Sequence, residues 1–126
     1  MLGTIGFRHA AFAAAVFLSL APAAVAQDKF GAIAYSPQTG AHGWSEAFAT
    51  QSEAEEAARV SCARHASDCR TAAWFKNACG ALATGPNGWG ADWGRNTAEA
   101  QAKAIDACVP HSKQCRILKW LCTGMD

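Results

Sequence analysis

Two stretches of the chain repeat one rhythm of apolar and polar positions. Phe30 to Tyr35 is short, apolar and bounded by Ser36-Pro37, as a strand running into a turn is. His42 to Ala49 then alternates, with Trp44 and Phe48 on one face. Small residues follow at helical spacing, Ala54, Ala57, Ala58 and Cys62. A bulky apolar strand, Arg70–Lys76, closes the unit. The second stretch runs the same way. Gly80-Ala81-Leu82-Ala83 repeats Gly31-Ala32-Ile33-Ala34. Trp89, Ala91 and Trp93 share one strand face, and Gly90, Asp92 and Gly94 share the other. Ala100, Ala104, Ala107 and Cys108 form the second helical stripe, Pro110 ends that helix, and Arg116–Cys122 is the closing strand. Both helices start on a capping-box pattern, Thr50-x-x-Glu53 and Asn96-x-x-Glu99, in which cap oxygen and glutamate satisfy orphan N–H groups reciprocally.

The two stretches therefore align as an internal duplication. Ser36-Pro37 matches Gly85-Pro86, His42-Gly43-Trp44 matches Asn87-Gly88-Trp89, and Phe48 matches Trp93. Cys69-Arg70 with Trp74-Phe75 matches Cys115-Arg116 with Trp120-Leu121. The offset starts at 49, falls to 45 and settles at 46, which implies a first-copy turn four residues longer. The expected fold is α+β: two tandem pseudo-symmetric ββαβ repeats in one disulfide-bonded domain, a mostly antiparallel sheet with two alanine-rich helices packed on it. Repeat one spans about 27–77 and repeat two about 78–126.

Residues 1–26 stand apart from this rhythm. Arg8 and His9 precede an apolar run from Ala10 to Leu20, and Pro22 leads into Ala24-Val25-Ala26, a small-x-small cleavage signature. Such a run is too short to span a bilayer, which needs about 20 residues. The segment reads as a signal peptide, with residues 27–126 as a single exported domain, periplasmic or extracellular. The formal charge of the whole chain is +1. Removing Arg8 leaves ten basic and ten acidic residues, so charge recruits no nucleic acid. No lysine–arginine stripe suggests stable membrane insertion after cleavage.

Export gives the six cysteines a meaning, because an even count in a small exported domain reads as disulfides. Cys62 and Cys69 stand seven apart, as do Cys108 and Cys115. Cys79 and Cys122 remain. Six cysteines allow fifteen connectivities, and the repeat singles out 62–69, 108–115 and 79–122.

The combination resembles the bacterial domain-of-unknown-function family 4189, found in small exported proteins, some of them mycobacterial. The resemblance is carried by Gly31-Ala32-Ile33-Ala34-Tyr35-Ser36-Pro37, Gly43-Trp44, Glu53-Ala54-Glu55, Cys69-Arg70, Trp74-Phe75-Lys76-Asn77-Ala78-Cys79-Gly80-Ala81-Leu82-Ala83 and Trp89-Gly90. It implies an exported, disulfide-bonded α+β domain and supplies no catalytic residues. Some mycobacterial members resemble secreted factors that meet host cells.

Cys62-x-x-His65-x-x-x-Cys69 and Cys108-x-x-His111-x-x-x-Cys115 offer zinc-type donors, but oxidation would consume both thiolates. No metal or other cofactor is therefore expected. There is no G-x-S-x-G elbow, no Ser-x-x-Lys and no P-loop. Glu46 and Asp92, matched by the duplication, are the remaining carboxylate pair for a glycosidase. Trp44, Trp74, Trp89, Trp93 and Trp120 read chiefly as core packing on strands. The candidate binding residues are Trp89, Asp92 and Trp93, in a segment dense in glycine that would permit close approach of a ligand. The expected function is a non-enzymatic interaction module binding a protein partner as an inhibitor, immunity-type or host-directed factor. The alternative is a cell-wall glycan binder or hydrolase using the Trp89–Trp93 strand.

Overall fold

The computed structural model describes residues 26–125, together with residues 3, 6, 11 and 13–17. The expected leader and its Ala24-Val25-Ala26 motif thus lie largely outside the described residues. Among the described residues, no helix is long and apolar enough to cross a membrane. The first copy comprises β1 (Phe30–Tyr35), β2 (His42–Phe48), α1 (Gln51–Ala63) and β3 (Arg70–Lys76). The second comprises β4 (Cys79–Gly85), β5 (Gly88–Gly94), α2 (Thr97–Cys108) and β6 (Arg116–Cys122). The fold is α+β, with the ββαβ order occurring twice.

The strands form two three-stranded antiparallel sheets, ordered β2-β1-β3 and β5-β4-β6. Each central strand finds both neighbours within its own copy, so the antiparallel sheet is divided between the copies. β1 and β4 are buried on both faces, and their side chains sort by size. Ala32 and Ala34 pack against Ala54, Ala58 and Cys62 of α1. Ala81 and Ala83 pack against Ala100, Ala104 and Cys108 of α2. On the opposite faces Ile33, Tyr35 and Phe75 meet Leu82 and Leu121 in one shared cluster. The layers therefore run helix, sheet, sheet, helix. Alanine serves the helix sides because it lets backbones approach, and the branched residues fill the wider space between sheets. At the centre of that space the Phe75 ring lies against both Gly31 and Gly80, where an added Cβ would fall within 2.5 and 2.3 Å of the ring.

Both helix caps form, by half of the expected box. Thr50 Oγ1 accepts from the Glu53 N–H at 3.2 Å, and Asn96 Oδ1 accepts from the Glu99 N–H at 2.8 Å. The glutamates do not reach back to the cap N–H groups. Glu53 accepts from the Thr50 hydroxyl, and Glu99 pairs with Arg95 at 3.2 Å.

Strand register revises the duplication in detail. Ala34 faces Gly43, whereas Ala83 faces Gly90. Gly43 thus corresponds to Gly90, Trp44 to Ala91 and Phe48 to Gly94, in place of Gly88, Trp89 and Trp93. The physical reason is helix contact. A Cβ on Gly43 would lie 2.4 Å from the Cys62 nitrogen, and one on Gly90 would lie 2.2 Å from the Cys108 nitrogen. The first-copy turn is two residues longer, not four: Tyr35 and His42 enclose 36–41, whereas Thr84 and Trp89 enclose 85–88. A bulge between Phe30 and Ala32, with Ala47 at φ 61° on the opposing strand, supplies the rest. Together these account for the drift to the helical offset of 46.

Three disulfides join Cys62–Cys69, Cys79–Cys122 and Cys108–Cys115. The two local bridges tie a helix end to the next strand with nearly equal Cα separations, 6.0 and 6.1 Å. The third links directly opposed residues of β4 and β6.

Candidate functional site

The pseudo-two-fold arrangement sets β3 beside β5 on one flank and brings β2 towards β6 on the other. The β2/β6 flank is bridged by polar contacts. Lys119 Nζ sits 3.7 Å from the Trp44 ring centroid, and the Ala47 N–H donates to Thr123 Oγ1 at 2.8 Å. Within β2, His42 stacks on Trp44 at 5.9 Å. On the β3/β5 flank the strands pack closely, and at their end lies an open groove of about 780 Å³. Tyr35, Arg70, Trp89 and His111 line it, between the turn prolines Pro37 and Pro86.

Each of these side chains is placed by its element. Tyr35 ends β1 and points between the sheets, where its ring meets Trp89 at 5.4 Å. Arg70 opens β3, opposite Tyr35, and its guanidinium lies 5.8 Å from the Trp89 ring centroid. His111 follows α2, its N–H donating to the Cys108 carbonyl at 2.9 Å. Burial, then the charge of Asp68, pushes the Tyr35 hydroxyl above its ordinary 10.0. The hydroxyl makes no hydrogen bond within the described residues, and Tyr35 as a whole is buried along the groove wall. Asp68 itself is held below the usual carboxylate range, first by the Ser36 hydroxyl, then by the Gln38 N–H at 3.1 Å and the Arg70 charge. Sequence reasoning missed Tyr35, Arg70 and Asp68 as a group. Tyr35 and Arg70 are adjacent only through strand pairing, and no local motif links Asp68 to Ser36.

The site breaks the internal symmetry. By strand register Tyr35 corresponds to Thr84, Arg70 to Arg116 and Trp89 to His42. The hollow beside Thr84 and Arg116 is smaller, about 430 Å³, and no aromatic residue lines it. The frame is duplicated, and the aromatic groove is not.

The three expected binding residues separate. Trp89 lines the groove and packs on the inter-sheet cluster. Trp93 lies at the far end of β5, 46% exposed, with Lys103 Nζ 4.8 Å from its ring. Asp92 is on the α2 side, its Oδ1 accepting from the Trp93 N–H at 2.7 Å. Gly90 and Gly94 face α2 at close quarters, so their missing side chains serve helix packing and not ligand approach. Glu46 and Asp92 are not brought together. They stand on outer strands of different sheets, and Ser45, not Glu46, occupies the register position of Asp92. The expectation that tryptophans are mainly core is also revised. Trp44, Trp74, Trp93 and Trp120 are 42–48% exposed, and all sit on outer strands that no further strand flanks among the described residues.

No curated protein and no solved structure matches the chain. A family match does cover residues 30–122, from the first residue of β1 to the last of β6. The span includes both copies, all six cysteines and the whole groove lining. The chain belongs to the family described as Domain of unknown function (DUF4189).

Proposed function

We propose that the chain is an exported, non-enzymatic interaction module that binds a protein partner in the periplasm or outside the cell. The observation that carries this reading is the set of half-exposed tryptophans, Trp44, Trp74, Trp93 and Trp120, on a frame clamped by three disulfides. Tryptophan is enriched among the few residues that dominate interface energy. A cross-linked frame loses little conformational freedom on association, so more of the contact energy survives as affinity. An inhibitor, immunity-type or host-directed role fits such a surface. Export is consistent with the disulfides and with the apolar segment ahead of Gln27.

Crosslinking in cells at native expression tests the reading. A discrete protein should be captured by the wild type and lost when Trp93 or Trp120 becomes alanine. Recovery of no discrete partner sinks it. Co-sedimentation with peptidoglycan and release of wall fragments would favour the glycan alternative.

A further inference from the structure

Both sheets are three-stranded, so β2, β3, β5 and β6 all present an outer edge that no other strand pairs with among the described residues. An open edge is a template for another chain, and proteins usually spoil it with bulges, charges or proline. Three of these edges are spoiled. The pairings of β1 with β2, of β1 with β3 and of β4 with β6 each contain a register shift. β2 also carries Glu46, β3 carries Arg70 and Lys76, and β6 carries Arg116 and Lys119. The pairing of β4 with β5 runs without a shift from Cys79–Gly94 to Gly85–Gly88. In β5 the only charge is Asp92, near its far end, and there is no proline.

The regular edge is also the one that borders the groove. Gly88, Trp89, Gly90 and Ala91 are consecutive, and all four line it. Consecutive residues of a strand send their side chains to opposite faces, so what four in a row share is the backbone edge. The groove thus follows main chain on one wall, with Tyr35, Trp89 and Arg70 on the sheet side and His111 on the helix side. None of the described residues lining it is acidic. Asp68, whose charge acts on Tyr35 and Arg70, stands outside the lining and is held by Ser36 and Gln38. The guanidinium of Arg70 makes no salt bridge with a described residue.

We propose that an extended acidic polypeptide segment adds as a fourth strand to the outer edge of β5. Its carboxylate meets Arg70, and a neighbouring apolar side chain lies on Tyr35 and Trp89. Main-chain hydrogen bonds supply affinity, and the alternating side-chain sites supply specificity. This rests on the protein-binding reading and adds to the exposed tryptophans a second contact, the outer edge of β5, together with the chemistry that edge selects.

Phage-displayed random peptides of about ten residues, long enough for one strand, would be selected on the full disulfide-bonded protein. The selected set should carry an acidic residue among alternating apolar ones. Arg70→Glu should weaken the best peptide by about tenfold or more, the scale of one lost charge-assisted hydrogen bond. Two versions of that peptide, N-methylated at alternate positions, need no protein variant. One version should lose binding and the other keep it, because only alternate N–H groups of an added strand face the partner strand. Failure to enrich any peptide, equal tolerance of both N-methylated versions, or unchanged binding to Arg70→Glu would overturn the proposal. So would alginate, an acidic polysaccharide, binding the groove where peptides do not. A cellular partner captured equally by wild type and Arg70→Glu would overturn strand addition while leaving protein binding intact. Capture of nothing would overturn the protein-binding reading itself, and the peptide data would still decide the groove.

Discussion

Tyr35 is the chain's one tyrosine, so a titration of tyrosinate absorbance reads this residue alone. Its hydroxyl is held above 10.0, first by burial and then by Asp68. A raised folded-state value favours the neutral form. The associated stability is complete below the ordinary value and is lost as pH rises through the raised one. The absorbance midpoint of the native protein should therefore exceed 10.0, and Asp68→Asn should lower it without restoring the ordinary value. An unshifted native midpoint would contradict the burial of Tyr35 between the sheets. Asp68 works in the opposite direction. Its value is depressed, so its contribution is present above 3.8 and is lost as pH falls through the lower folded-state value. Neither residue could be read from its local sequence as part of a site. Tyr35 looks like the end of an apolar strand, and Asp68 like a polar loop residue ahead of Cys69.

At the scale of elements, β1, β3, β6 and both helix starts were legible because one local property defines each. β1 ends at Ser36-Pro37, and β3 and β6 are bulky apolar runs after a Cys-Arg pair. The helices carry small residues facing a sheet at every fourth position, Ala54, Ala58 and Cys62 in α1 and Ala100, Ala104 and Cys108 in α2. The second strands were less legible. Their glycines answer to a helix distant in sequence, and a Gly-Trp pair invites alignment by its tryptophan. Gly43 and Gly90 are the true equivalents, each under the backbone of its helix near the cysteine. Alanine at either position should destabilise the protein by about 1–3 kcal/mol through overpacking, read as a lower urea midpoint. The helix backbone cannot turn aside as a flexible side chain could. An unchanged midpoint for both variants would contradict the close strand–helix contact.

For the whole molecule, the disulfides rank by the loops they close. Replacing Cys62–Cys69 or Cys108–Cys115 by alanine pairs should cost about 2.5 kcal/mol each, and replacing Cys79–Cys122 about 4 kcal/mol. Urea unfolding of the three double variants checks this order, and a larger loss from either local bridge would refute it. The duplication could be read from the recurring Gly-Ala-Ile/Leu-Ala and Cys-Arg…Trp segments, which the cysteine spacings then fit. The layering could not, because a strand buried on both faces does not say whether a helix or a second sheet covers it. Phe75 shows what that layering entails. Its ring occupies the space over Gly31 of its own copy and Gly80 of the other, while the corresponding residue of the second copy is the smaller Leu121. A molecule assembled from two first copies would bring two phenyl rings to this centre, and one from two second copies would bring none. The former is overfilled and the latter hollow. The two halves have thus become non-interchangeable, each fitted to its unlike twin, and a pairing of like halves from separate chains is disfavoured at the middle of the interface.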